Sequence, residues 1–446
     1  VKKKTFKGGI HPPEAKELTM NLPFELMPKV EKYLFPLSQH IGKPSKPLVK
    51  KGDEVKVGQL IGESDGFVSA PIHSSICGTV NSISVEPNPG GFPKESIIIN
   101  PNEKDEIELM ESIKPEEATP EQIVDRVRKA GIVGQGGASF PTAVKLTPPK
   151  DKKIDLILLN GCECEPYLTR DYRLMLENTV DVVEGLKLIM RAANVKEGAI
   201  GIEDNKPEAI EKLNKYLNDN KIENIKVYEL KTKYPQGAEK MLIKAITGKE
   251  VPPGKLPLDV GILVQNVGTA VSIYNAVAKG EPSIYAYLTV SGRGIKNPKN
   301  LIVRVGTPIK DVLEYCGGVT DDAAQVIVGG PMMGVAQYDF NAPIMKATSG
   351  ILVLSSREII EAEETNCLRC GKCVEVCPLN LMPTRLAQYT KFKRYEDSER
   401  YGITVCMECG SCAYTCPADI PLVQWIRLGK QKVFQLQRER AMSEKK

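Results

Sequence analysis

Cys367 to Pro378 reads CLRCGKCVEVCP, and Cys406 to Pro417 reads CMECGSCAYTCP. Each run holds three cysteines at a pitch of three residues, then a fourth cysteine followed by proline. Three thiolates at that pitch wrap one face of a compact iron–sulfur cluster, while the fourth reaches the other cluster of the pair. The pattern predicts crossed ligation: Cys367, Cys370, Cys373 and Cys416 on one 4Fe-4S cluster, and Cys406, Cys409, Cys412 and Cys377 on the second. Structural zinc uses paired cysteines, and disulfide frameworks belong to small secreted chains, so neither fits two three-plus-one runs. The C-terminal part of the chain is therefore an electron-transfer module, and the remainder has to explain what it serves.

With 446 residues there is room for three or four domains. A net charge of +4 is too small to argue for nucleic acid. No apolar run reaches the length that crosses a bilayer, and Val1 to Ile10 lacks the apolar centre of a signal peptide. Cys77, Cys162, Cys164 and Cys316, outside the two runs, fit a reducing cytoplasm. The histidines are His11, His40 and His73, which read as surface or packing residues rather than ligands.

Between Pro47 and Ile99 short alternating stretches punctuated by Gly52, Gly58, Gly62 and Gly78 predict a small β sandwich. After a charged spacer, Thr119, Pro120 and Gln122 form a helix start with a capping box, and Gly131 ends that helix. The loop that follows, GIVGQGGASFPT, allows close approach of backbone to a phosphate or flavin, or else is a tight turn. It is neither a Rossmann fingerprint nor a P-loop. Downstream, a strand over Ile154–Asn160, a long helix over Tyr172–Ala193, a strand over Gly198–Glu203, a helix over Pro207–Leu217 and a strand over Ile225–Leu230 predict a parallel α/β sheet. A ligand would sit beyond its strand ends, where Asn160 to Pro166, NGCECEP, falls.

GQGGASFPTAVK, NGCECEP, YPQGAEKMLI and LVQNVGTAVSIYNAV, in this order, resemble the FMN- and NADH-binding flavoprotein subunit of respiratory complex I. The resemblance covers Glu121 to about Gly280 and implies that Gly134, Gly136, Gly137, Lys145, Asn160 and Asn266 hold FMN. It further implies that Phe140, Glu163, Glu165 and Glu239 lie on the nicotinamide side. The chain departs from that pattern at Gln135, where an arginine stands, at Cys162, where an acidic residue stands, and at Cys164, where a glycine stands.

The GDEVKVGQ and SAPIHSSICGTV segments resemble a biotinyl/lipoyl hammerhead, without a lysine at the turn Glu63–Ser69. Ser283 to Met333, with one amphipathic helix at Ile309–Tyr315, resembles the soluble-ligand-binding β-grasp domain. Helical spacing over Pro383–Tyr395 predicts an α-helical ferredoxin. The basic tail from Pro421 reads as a helix that either packs on its own domain or docks to a partner or anionic membrane surface.

The expected fold is multidomain α/β and α+β: hammerhead over 1–115, Rossmann-like FMN/NADH domain over 116–280, β-grasp over 281–355, and two-cluster ferredoxin with a basic C-terminal helix over 356–446. Nearly the full chain resembles the C subunit family of Rnf membrane electron-transport complexes. That resemblance implies two 4Fe-4S clusters, FMN and NAD(H), other complex subunits as partners with ferredoxin reached indirectly, and a peripheral place on the cytoplasmic face of the membrane. A cobalamin reductase-like flavoprotein and a relay subunit that has lost its flavin are the alternatives.

Overall fold

The computed structural model describes residues 3–149, 151–359 and 363–443; the outer ends of the first and last expected domains, 1–2 and 444–446, lie outside them. The central α/β unit is a four-stranded parallel sheet in the order Ile225–Leu230, Glu197–Glu203, Leu156–Asn160, Ile262–Asn266. The strand LILLN is apolar on both sides because both sides are covered. Ile157 and Leu159 join the core with Leu186 and Val271, while Leu158 points the other way into Leu242 and Ile243. The chain crosses to one side after its first strand and later returns to the other, so the order reverses between Leu156–Asn160 and Ile262–Asn266. Asn160 and Asn266 are register partners at the carboxyl ends of those strands.

The capped helix forms over Pro120–Lys129, with Gln122 N donating to Thr119 Oγ1 at 3.3 Å and Thr119 N donating to Gln122 Oε1 at 2.9 Å. Tyr172–Ala193 is two helices, Arg170–Glu177 and Thr179–Ala192, broken at Asn178. Asn178 has the non-helical angles of a residue that competes for local hydrogen bonds, which apolar periodicity does not register.

The N-terminal sandwich pairs a four-stranded sheet, Tyr33–Pro36, Lys94–Pro101, Gly78–Glu86 and Glu54–Val55, with a three-stranded one, Lys46–Pro47, Leu60–Glu63 and Ile72–His73. Its core is Tyr33, Phe35, Ile61, Ile72, Ile76 and Ile97. Residues before it lie elsewhere: Lys4 pairs with Leu230, and Phe24–Leu26 adds a parallel edge strand beside Lys299–Arg304. That strand completes a six-stranded mixed sheet with Tyr285–Ser291, Gly350–Ser355, Ala323–Val328 and Val335–Ala336. The helix Ile309–Tyr315 packs into the core of this unit through Ile309, Val312 and Leu313.

In the C-terminal domain the helices Pro383–Lys391 and Leu422–Ser443 pack side by side. Gly429 makes the crossing possible, since a Cβ there would lie 2.0 Å from the Thr390 hydroxyl. Leu422, Val423, Ile426 and Val433 are buried in this domain. The basic tail, from Leu422 to Val433, is therefore packed as a structural helix of the cluster domain, the first of the two readings of the sequence. Its buried positions pack on the helix Pro383–Lys391, which lies between the cysteine runs.

A crevice at the strand reversal and a paired-cysteine domain

The two cysteine runs fold as copies of one another. Arg369 and Glu408 occupy equivalent left-handed positions, φ 55° and 59°, and each directs its N–H at the first sulfur of its run, Cys367 or Cys406, at 3.4 Å. Gly371 and Gly410 then turn the chain into short helices, Lys372–Glu375 and Ser411–Tyr414. Amide N–H groups aimed at sulfur stabilise the added negative charge of a reduced cluster.

Cys377, from the first run, lines one cavity with Cys406, Cys409 and Cys412 of the second, closed by Leu379, Leu381 and Ile426. The Cys373 thiol, raised first by burial, is also raised by the charges of Cys416 and Cys367. Four thiols around an apolar-walled cavity are the donor set of a cluster. Among the described residues no three ligating side chains converge as a single ion requires.

At the sheet, the glycine-rich loop crosses the reversal point. A Cβ on Gly136 would meet the Asn266 Cβ at 3.1 Å, whereas Gly137, at φ 142°, faces open space. Gly134 N donates to Phe140 O at 2.9 Å, closing the loop on itself. Asn266 caps the helix Val267–Ala278, its Oδ1 accepting from Gly268 N at 2.8 Å, so the positive end of that helix opens beside the loop. Asn160 Nδ2 donates to Gly237 O at 2.8 Å and its Oδ1 accepts from Cys162 N at 3.2 Å, which ties the NGCECEP and YPQGAEKMLI segments together. Gln236, next to Gly237, is fully buried with neither amide atom bonded.

Lys145 and Glu239, assigned to opposite sides of the cofactor by resemblance, are bonded to each other at 2.9 Å, with Lys145 Nζ also on Val264 O at 2.6 Å. Glu163, expected on the nicotinamide side, caps a helix: its two oxygens accept from Asp171 N at 2.6 Å and Tyr172 N at 3.1 Å. An acidic side chain at a helix N-terminus is held there by the dipole and the free N–H groups. Glu165 packs against Gly330 and Met332: Oε2 accepts from Met332 N at 3.0 Å while Oε1 is buried without a partner among the described residues. Burial pushes the Glu165 carboxyl up to about 7.

Sequence reasoning missed Arg170. Its guanidinium, 2% exposed, bonds Asp171 through Nε at 2.8 Å, Asn266 Oδ1 at 3.1 Å and the Gln135 carbonyl at 3.3 Å. Gln135 in turn fills the space over the helix start, donating from Nε2 to Ser272 Oγ at 2.7 Å. A cation thus reaches the glycine loop from the neighbouring helix although position 135 is neutral. The loss of an arginine in the loop was visible in the sequence; the replacement from 35 residues away was not.

These elements define a class, an iron–sulfur protein with a parallel α/β unit whose crevice lies at the strand reversal. Residues 127–275 match the Nuo51 FMN-binding domain, residues 4–104 the RnfC barrel sandwich hybrid domain, residues 287–336 the SLBB domain and residues 359–417 the 4Fe-4S dicluster domain. The chain is 50% identical to the C subunit of a proton-translocating ferredoxin:NAD(+) oxidoreductase complex of Clostridium ljungdahlii, over 95% of this chain and 93% of that one. It is 48% identical to the Na(+)-translocating counterpart of Acetobacterium woodii, over 98% and 99% of the two chains. The C subunit of the ion-translocating oxidoreductase complex of Rhodobacter capsulatus is 42% identical, over 97% and 84%. An NAD+-reducing [NiFe]-hydrogenase in the air-oxidized state shares the fold alone, at TM-score 0.51 and 18% identity over 70% of this chain and 66% of that chain. The chain belongs to the C subunit family of Rnf-type ion-translocating ferredoxin:NAD(+) oxidoreductase complexes.

Proposed function

We infer that this chain is the subunit through which electrons pass between two 4Fe-4S clusters, FMN and NAD(H) in a membrane complex that couples the transfer elsewhere to ion movement. Its place in that reading is peripheral, on the cytoplasmic face of the membrane; among the described residues no helix is long and apolar enough to cross a membrane. The observation that carries the reading is the contact between the two redox regions: Tyr234, on the loop beside Asn160 and Gly237, donates its hydroxyl to the carbonyl of the cluster ligand Cys409 at 2.7 Å.

FMN, when bound, takes electrons singly from clusters and exchanges them in pairs as hydride with NAD+. The chain's own residues supply position and field. Gly137 leaves room for a flat ring system against the backbone, Gly136 lets the loop close onto Asn266, and Asn160 and Asn266 sit at the two strand ends beneath it. The helix start at Asn266 favours an anionic group near the loop, while the Arg170 guanidinium, neutralised by Asp171, holds Gln135 and Asn266 in place. Phe140, Lys145 and Glu239 form the mouth, where the Lys145–Glu239 pair presents donors and acceptors without net charge. Glu165 is read on the nicotinamide side from the likeness of its segment to the FMN-binding domain family alone.

In finer architecture we assign a hammerhead to the N-terminal sandwich, a Rossmann-like order to the flavin unit, a β-grasp to the six-stranded unit and an α-helical ferredoxin to the cluster unit. The deciding experiment is anaerobic reconstitution of the chain with iron, sulfide and FMN, followed by a visible spectrum and NADH addition. Flavin bands bleached by NADH, with about eight iron per chain, are expected. Iron without flavin would make the chain a cluster relay.

A further inference from the structure

The first residues of the chain are spent on joining the two redox regions, not on the sandwich that follows them. Lys4 extends the parallel sheet at Leu230, and Lys3 bonds Asp204 at 2.7 Å, which anchors the start of the arm on the flavin unit. The arm then crosses the junction. Gly9 N donates to Val376 O at 2.8 Å in the first cysteine run, and Ile10 exchanges both backbone bonds with Tyr234, at 2.8 and 2.9 Å. A Cβ on Gly8, already at φ 81°, would stand 3.1 Å from the carbonyl oxygen of Cys377.

Further on, Lys16 is buried and, among the described residues, pairs with no carboxylate. Its ammonium collects three carbonyls of the crevice loop, Leu168 O at 2.6 Å, Glu163 O at 2.9 Å and Glu165 O at 3.0 Å. Three charge-assisted bonds satisfy all three ammonium hydrogens, and they bind the arm to the loop that follows Asn160. Within a few residues the arm thus touches the Cys377 turn, the Tyr234 loop and the Glu163–Leu168 loop. Tyr234 itself bonds Cys409, so both Cys377 and Cys409, ligands assigned to one cluster, are tied to the crevice.

We propose that the N-terminal arm is a positioning strap for electron transfer, pairing with Tyr234, bonding Val376 and setting Lys16 beneath the crevice loop so that the Cys377–Cys409 cluster is held at a fixed distance from the flavin. The proposal rests on the FMN and cluster reading above. Domains joined by small polar contacts move relative to one another by default, and electron transfer falls steeply with separation, so a strap fixed at both ends serves rate rather than fold. Lys16 acts through the loop it holds and touches no reacting atom.

The test uses full-length holoprotein carrying Gly8→Val, Lys16→Met or Lys16→Arg. Iron and flavin content are measured first, and a wild type without flavin would fail the functional reading itself, before any variant is compared. Stopped-flow mixing with excess NADH then separates bleaching of the flavin bands from the later change in the cluster bands. Should NADH leave wild-type clusters oxidised, dithionite-reduced protein mixed with NAD+ gives the same separation in reverse. Gly8→Val is expected to slow the cluster phase about 10²-fold through a displaced Cys377 turn, with the flavin phase unchanged. Lys16→Met should slow it by a smaller factor, with Lys16→Arg restoring it, and amide hydrogen exchange over residues 163–168 should rise in the Met variant only. Cluster phases equal to wild type at full iron and flavin would overturn the proposal. Loss of iron or flavin from both Gly8→Val and Lys16→Met would overturn it as well, because the arm would then serve assembly rather than spacing.

Discussion

Lys346 offers a sharp test of how the domains are packed. Its ammonium is 1% exposed and donates to Pro71 O of the sandwich at 2.6 Å and to Gly131 O, at the entrance to the glycine loop, at 2.8 Å. Burial pushes it down from 10.5 to about 7. The folded state therefore binds fewer protons than the unfolded chain between those values, and stability rises with pH across that window. Put as a loss, the stability present above the unfolded value is removed as pH falls through the folded one. Lys346→Met keeps the volume and removes the titration. Integrating the linkage from pH 7 to pH 9, wild-type stability relative to the variant is expected to increase by about 2 kcal/mol. The window lies above the ordinary histidine range, and His73, which burial drives down to about 3, stays neutral throughout it. Denaturant unfolding of both proteins at several pH values measures the difference directly. Parallel pH profiles would show that Lys346 is not an ammonium stripped of water, and the three-domain junction would have to be reconsidered.

Gly136→Val should lose flavin, since its side chain would press on Asn266 at the strand reversal and close the crevice; bound-flavin absorbance checks it, and full retention would reduce the loop to a turn. Cys377→Ala should strip the second cluster although it lies in the first run, leaving about four iron per chain after reconstitution rather than about eight. Glu165→Gln keeps an acceptor for Met332 N–H while removing the charge. Because burial raises the folded carboxyl from 4.5 to about 7, its stabilising protonated form is lost as pH rises through that range. Wild-type stability relative to the Gln variant should then fall by about 3 kcal/mol between pH 4 and 8, and a constant difference in denaturation experiments would refute the buried position. Truncation after Pro421 should unfold the cluster domain and release iron, because Ile426 and Val433 are core residues; a truncated chain that keeps its iron would contradict that packing.

Much of this was legible from residues alone, for reasons that are local. Cysteine pitch constrains which sulfurs reach a common centre. Apolar runs such as LILLN report strands covered on both faces, and Thr119, Pro120 and Gln122 form their cap with one another. What was not legible shares a different cause. Glu163 follows a strand end, as a ligand contact would, but it folds back onto a helix start that the sequence placed two residues late. Lys145 and Glu239, 94 residues apart, find each other only across the sheet. The tail looks amphipathic and basic in isolation, yet its own Gly429 lets it pack closely on the helix Pro383–Lys391 at Thr390.

Spacing and periodicity determined the redox centres and the order of the units, because metal ligation and secondary structure depend on neighbours a few residues away. Tertiary structure alone decided which polar groups remain free for chemistry. Arg170 reaching Gln135, Lys16 beneath the crevice loop and Tyr234 on Cys409 join residues 35, 147 and 175 positions apart in the chain. Each of these three donors takes the acceptor that the fold brings within reach, since leaving it buried and unpaired costs more than the bond itself contributes.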